Sequence, residues 1–370
     1  MNSLRRLLIA GFLYILTAGS LAAAQPPNIL FILTDDLGWG DLGVFFQNNR
    51  KAAHLSSQPF ELTPHLDKLA NQGVQLRDHY CAAPVCAPSR ASILLGVSQG
   101  HANVRDNQFD KALEHNHTLA TVLARAGYAT VAVGKWGLQG NGGPNPSPDS
   151  WPAFPTKRGF DSFFGYVRHV DGHEHYPKEA LYSSDHKPKE VWDGARNRTP
   201  ELDKCYTADL WTAWAKQWLV QHQRTNSAQP FFMYLAYDTP HAVQELPTQP
   251  YPGGGGLHGG IQWLGVPGHM ITTASGAVDS WMHPDYANAT YDDDQDSATP
   301  NVPWPDVYKR YATAVRRLDD AVGDLLQLLR DLHIDRQTLI VFTSDNGPEY
   351  RIVHSSRTIA RRFFRQLRAF

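Results

Sequence analysis

Two apolar runs at opposite ends of the chain, Asn28-Ile29-Leu30-Phe31-Ile32-Leu33-Thr34 and Thr338-Leu339-Ile340-Val341-Phe342-Thr343, constrain the fold more than any other feature. Runs this short and this uniformly apolar read as strands buried on both faces of a largely parallel sheet. The first ends at Asp35-Asp36-Leu37-Gly38 and the second at Ser344-Asp345-Asn346-Gly347. Open α/β sheets place ligands at the carboxyl ends of parallel strands, so the two acidic turns are expected to share one site. A third run, Phe231 to Tyr237, stops shortly before Thr239-Pro240-His241. Helical spacing recurs around Pro64–Gln72, Leu119–Ala126, Ala208–His222 and Val307–Leu332. Interleaved with such strands, these segments imply an α/β sandwich.

Asp35, Asp36 and Asp345 with the carboxamide of Asn346 make a hard oxygen set. Ca²⁺ or Mg²⁺ suits it, whereas softer metals prefer imidazoles and thiols. Ordinary turn chemistry is the alternative for either segment alone, since Asp, Asn and Gly are common after strands.

Cys86-Ala87-Pro88-Ser89-Arg90 leads into an apolar helical stretch, Ala91 to Gly96. Pro88 falls near the first turn, where a missing N–H costs nothing. A helix start beside Cys86 aims unpaired backbone donors at an anion, and Arg90 brings a planar fork of donors to position 86 or to an oxyanion. Taken singly, Cys86 reads as a small buried hydrophobe, Lys135 as a solvated amine, and His241 as one loop histidine among 17.

A chain of 370 residues, 42% hydrophobic, is long enough for one large core or two domains. A formal charge of −2 gives no electrostatic reason to expect nucleic acid as a partner. Residues 1–24 carry Arg5 and Arg6, an apolar run from Leu7 to Leu16, and Ala22-Ala23-Ala24 ahead of Gln25. That order is a signal peptide. The apolar run is shorter than the roughly 20 residues of a spanning helix, so no stable membrane insertion is expected and the mature chain is expected to be periplasmic or secreted. Cys81, Cys86 and Cys205 do not make a disulfide framework, and whether Cys81 and Cys205 pair is open.

Several of these segments together resemble the type I, formylglycine-dependent sulfatases and arylsulfatases of the alkaline phosphatase-like superfamily. Cys86-Ala87-Pro88-Ser89-Arg90 is similar to their C-x-P-x-R element, Asp35 to Asp41 to their opening motif, and Ser344-Asp345-Asn346-Gly347 to their second metal motif. Gly127 to Trp136 resembles their second signature, and Thr239-Pro240-His241 their histidine motif. Thr63-Pro64-His65-Leu66-Asp67, Val104-Arg105-Asp106-Asn107 and Gly159 to Gly165 are supporting matches, in family order from about residue 28 to 349.

The resemblance implies an α/β/α sandwich, with residues 25–349 as the catalytic domain, incomplete at its C-terminal end. It implies hydrolysis of an aryl or carbohydrate sulfate ester to alcohol and inorganic sulfate. Cys86 would be oxidised to formylglycine (3-oxoalanine) by a formylglycine-generating or sulfatase-maturing enzyme, and one hydroxyl of the hydrated aldehyde would attack sulfur. Asp35, Asp36, Asp345, Asn346 and position 86 would bind one divalent cation, calcium ahead of magnesium. Arg90, Lys135 and His241 would complete the catalytic set, with Lys135 and His241 on the sulfate and His241 protonating the leaving oxygen. A sulfated small molecule or glycan would be the partner.

Three departures stand out. Gly137 occupies a place where many relatives have a histidine, and Leu95-Gly96-Val97 replaces a common Thr-Gly-Arg. The chain stops at Phe370, without the smaller antiparallel C-terminal domain and its sulfate-contacting lysine, and residues 350–370 form an atypical basic tail containing Arg351, Arg357, Arg361, Arg362, Arg365 and Arg368. Two alternatives follow: a phosphate or phosphonate ester hydrolase of the same superfamily, or a truncated member that binds metal or sulfated glycan without catalysis. The stretch Gln244 to Pro305, rich in Gly and Pro, reads as a functional or mobile loop. Trp263, His269, Trp281, His283, His173 and His175 could line a sugar or aryl pocket or pack the loops.

Overall fold

The computed structural model describes residues 25–53, 59–107, 111–143, 146–182 and 188–348. The leader and the basic tail of residues 350–370 lie outside the described residues. The central sheet has seven strands: β1 (Asn28–Thr34), β2 (Ala129–Lys135), β3 (Ser162–Tyr166), β4 (Val191–Asp193), β5 (Arg196–Asn197), β6 (Phe231–Ala236) and β11 (Thr338–Ser344). Their order is β11-β1-β6-β2-β3-β4-β5. The first five in that order run parallel, and β4 and β5 continue the sheet antiparallel. Two small ribbons, β7 (Trp263–Val266) with β8 (His269–Ile271) and β9 (Thr290–Tyr291) with β10 (Val302–Pro303), lie in the long loop.

Alternation along each strand divides the core into two layers. Leu30, Ile32, Val131, Val133, Phe231, Met233 and Leu235 face one cluster, shared with helices α5 (Thr207–Thr225) and α7 (Asp306–Asp331). Leu33, Ala132, Phe232, Tyr234 and Ala236 face the other, shared with α3 (Cys86–Leu95) and α4 (Leu119–Arg125). The result is the expected α/β/α sandwich. Shorter helices are α1 (Asn48–Ala52), α2 (Pro64–Gln72) and α6 (Pro284–Ala287). Asp319 on α7 caps α2, accepting from the backbone N–H groups of His65 and Leu66 at 3.1 and 2.8 Å.

One expectation needs correction. β11 is half-buried rather than covered on both faces, with Leu339 53% exposed, because it is the edge strand among the described residues. Within the stretch from Gln244 to Pro305, residues 251–261 are anchored to α7. Asp324 of α7 accepts from Gly256 N–H, Ile261 N–H, Tyr251 hydroxyl and Lys216 Nζ at 2.6–2.9 Å. The glycines let the backbone close around that carboxylate. A Cβ on Gly260, at φ +64°, would lie 2.0 Å from Asp324 Oδ2.

Candidate active site

Parallel pairing brings the carboxyl ends of β1, β2, β3, β6 and β11 to one edge. Thr34 faces Ser344 on the last rung of the β1–β11 ladder, so Asp35 and Asp345 emerge together. The ladder runs on beyond the strands: Asp345 N–H donates to Thr34 at 3.0 Å, and Asp35 N–H donates to Thr239 at 3.2 Å. Main-chain bonds thus hold turns distant in sequence against one another, and Leu37 N–H adds a bond to Ser344 Oγ at 3.1 Å.

Cys86 is the first residue of α3 and is buried, with its Sγ 3.2 Å from Asp35 Oδ1. The adjoining Ala87 N–H donates to Asn107 Oδ1 at 3.1 Å, which gives the Val104-Arg105-Asp106-Asn107 element a structural task. Four residues on, Arg90 Nε donates to Asp345 Oδ2 at 2.8 Å and Nη1 to the carbonyl of Lys135 at 2.8 Å, while Nη2 lies 3.3 Å from Asp35 Oδ2. The guanidinium is wholly buried, so its part here is to join two carboxylates and the end of β2.

Lys135, the last residue of β2, contacts Asp35 through Nζ. Asn346 Nδ2 donates to Asp36 Oδ1, and His241 Nε2 lies 3.6 Å from Asp36 Oδ2. Asp35, Asp36, Cys86 and His241 each bring an atom within 4.8 Å of the others. All eight residues singled out in the sequence therefore converge.

Burial opposes ionisation of Asp35, but Lys135 and Arg90 hold it well below the usual carboxylate range. Burial, with Asp35 and Asp345 adding to it, pushes Asp36 up to about 8. Burial and Asp35 likewise raise Asp345, against Arg90 and Lys135. Two carboxylates are thus crowded beyond what two cations offset. Asn346 Oδ1 is buried with no hydrogen-bond partner among the described residues. Spare anionic charge and an orphaned carboxamide oxygen fit a hard divalent cation.

A second wall, from the turn His169–His173, was not assigned to catalysis from sequence. β2 and β3 stay paired past their ends, with Gly137 N–H donating to Val167 at 3.2 Å. Gly137 has φ +72°, and a Cβ there would lie 3.0 Å from His169 Nδ1. The buried imidazole of His169 therefore abuts the position that lacks a side chain. A Cβ on Gly172 would meet the Lys135 chain at 2.6 Å, so this turn presses directly on Lys135. His173 stacks on His241 with ring centroids 4.4 Å apart and planes at 12°. Burial, then Lys135, pushes His169 and His173 well below the normal histidine range. The available signal was the histidine spacing after Gly165, which is weak without a fold.

Of the other aromatic and histidine candidates, Trp263 packs edge-on against Phe164 and Trp281 against His283. His175 is buried beneath the His241 loop rather than lining a pocket. Cys81, Cys86 and Cys205 are all free thiols. No helix among the described residues is long and apolar enough to cross a membrane.

A sulfatase family model matches residues 27–359, and the chain belongs to the sulfatase family. It is 30% identical over 358 residues to N-acetylgalactosamine-6-sulfatase of Mus musculus, covering 92% of this chain and 54% of the relative. It is 30% identical over 356 residues to arylsulfatase A of Bos taurus, covering 90% and 54%. The crystal structure of Ps i-CgsB shares the fold, with a TM-score of 0.58 at 24% identity over 88% of this chain and 60% of that one. The chain spans about half the length of the curated relatives it matches.

Proposed function

We propose that this chain hydrolyses sulfate esters to alcohol and inorganic sulfate, working from position 86 with one bound divalent cation. The observation that carries this reading is the burial of Cys86 at the start of α3 against Asp35, the same carboxylate that Lys135 and Arg90 contact. Burial, then Asp35, pushes the Cys86 thiol far above its ordinary range. A thiol held protonated is a poor nucleophile, which agrees with the family resemblance in having position 86 work in another form. Formylglycine there, made by a sulfatase-maturing or formylglycine-generating enzyme, would supply an oxygen nucleophile.

Asp35, Asp36, Asp345 and Asn346 would hold the cation, calcium ahead of magnesium, whose Lewis acidity would offset charge on the sulfuryl oxygens. Arg90 fixes the carboxylates of Asp35 and Asp345 relative to α3. Lys135 brings a buried positive charge to the same place, where developing negative charge is stabilised without reorganisation. Burial, then Lys135, lowers His241 to about 4, so its ring is neutral at pH 7. Its Nδ1–H donates to the carbonyl of Ala242, which leaves Nε2 facing the site. An arriving sulfate ester favours the charged imidazole, which can then donate from Nε2 to the leaving oxygen.

The name of the mouse relative favours a carbohydrate sulfate over a simple aryl ester as the natural substrate. The N-terminal leader supports a periplasmic or secreted location. The test is to co-express the chain with a formylglycine-generating enzyme, load calcium, and compare sulfate and phosphate release from matched 4-nitrophenyl esters. Sulfate release that exceeds phosphate release is expected. The reverse preference would favour the phosphate-ester alternative.

A further inference from the structure

His241 sits in the segment Asp238–Glu245, which follows β6 and has no helix or strand of its own. One buried histidine engages its beginning, middle and end. His175 Nε2 lies 3.1 Å from the carbonyl of His241. Its Nδ1 lies 3.2 Å from Thr207 Oγ1 and 3.4 Å from Asp238 Oδ2. Its backbone N–H donates to the carboxylate of Glu245.

A carbonyl only accepts, so Nε2 must carry a proton, and Nδ1 faces a carboxylate. The charged imidazole satisfies both ends at once. Burial opposes that charge, but Asp238, with Glu245 behind it, raises His175 to about 9. Thr207 opens α5, so the clamp ties an irregular loop to the first turn of a 19-residue helix. Asp238 is itself fixed, accepting from Trp211 Nε1 at 3.0 Å. His173, two residues before His175, stacks on the His241 ring and accepts from Val243 N–H at 3.3 Å.

We propose that His175 is the positioning residue of His241, setting the place of that imidazole by clamping its main chain between Asp238 and Glu245 while touching neither substrate nor cation. Its kinetic consequence rests on the sulfate-ester reading; the clamp itself does not. Misplacing a reacting group by about 1 Å costs on the order of 10²-fold in rate, so a clamp on the backbone of His241 governs turnover more than binding.

Two polar replacements separate the contacts. In His175→Asn the carboxamide can meet Thr207 and Asp238 but is too short for the His241 carbonyl. In His175→Gln a donor reaches that carbonyl. The calcium-loaded mature chain would be assayed for kcat and KM on 4-nitrophenyl sulfate, for thermal unfolding, and for amide hydrogen exchange in peptides covering residues 238–245. His175→Asn is expected to lower kcat by roughly 10²-fold with little change in KM, and to speed exchange in residues 238–245 alone. His175→Gln is expected to recover most of both.

Wild-type exchange in residues 238–245 of His175→Asn would overturn the proposal. So would equal loss in both variants with faster exchange throughout the chain, the sign of a merely structural role. If the wild-type chain releases no sulfate, the functional reading fails, and the exchange comparison still decides the clamp.

Discussion

Arg90 Nε meets Asp345 Oδ2 at 2.8 Å, both side chains wholly buried and 255 positions apart in sequence. The same guanidinium approaches Asp35, so one residue on α3 fastens the ends of β1 and β11 to the helix that begins at Cys86. Removing one partner of a buried pair strands the other, at about 3–5 kcal/mol. Arg90→Met in the metal-free chain is therefore expected to lose that much stability in urea unfolding. A loss below about 1 kcal/mol, the range of exposed pairs, would show that Asp345 does not depend on Arg90.

Gly137 is expected to resist substitution for two separable reasons. Its φ of +72° disfavours any side chain, and its missing Cβ leaves room for His169. Gly137→Ala should cost about 1–3 kcal/mol from the backbone alone, plus the contact with His169. In Gly137→Ala combined with His169→Ala the contact part should vanish and the backbone part remain. Thermal unfolding of the four chains in this cycle measures both, and strict additivity would contradict the contact.

Cation binding should stabilise the fold through Asp35, Asp36, Asp345 and Asn346. At a free calcium concentration 100 times the dissociation constant, linkage gives about 2.7 kcal/mol. Calorimetric melting with calcium, magnesium or chelator should show that rise in the wild-type chain. Asp345→Ala and Asp35→Ala should each abolish most of it. A calcium-induced shift that survives in both variants would place the ion elsewhere.

The strands and their acidic turns were legible because each is contiguous: a short, mostly apolar run followed at once by a turn of Asp, Asn and Gly. Their adjacency was not, since register between Thr34 and Ser344 depends on packing across the whole sheet. Cys86, Lys135 and His241 could be singled out, yet the partners of Arg90 could not, because a guanidinium fits a sulfate and a carboxylate equally well. His169 was hidden for a different reason. Its place is defined by what Gly137 lacks, and an absent side chain has meaning only once the backbone of β2 and β3 is in register. The half-exposed β11 shows the limit of composition, which reports apolar residues but not where in a sheet a strand lies.

His175 links stability to pH in a predictable direction. Its folded value, about 9, lies above the ordinary 6.5, so the folded state binds the proton more tightly than the unfolded chain. The contribution is fully present below pH 6.5 and is lost as pH rises through about 9. It amounts to at most about 3 kcal/mol. The stability difference between wild type and His175→Gln should therefore be largest near pH 6 and narrow above pH 9, as read from urea unfolding at each pH. A difference that widens with pH would contradict a charged His175.

Sulfate release from 4-nitrophenyl sulfate by the wild-type chain and by Cys86→Ala, each co-expressed with a formylglycine-generating enzyme and loaded with calcium, tests the role of position 86 most directly. The wild-type chain should turn over, and Cys86→Ala should fall to background with a nearly unchanged melting temperature, because the alanine removes the reacting group from α3 and little volume. Equal sulfate release by the two proteins would contradict a catalytic role for position 86.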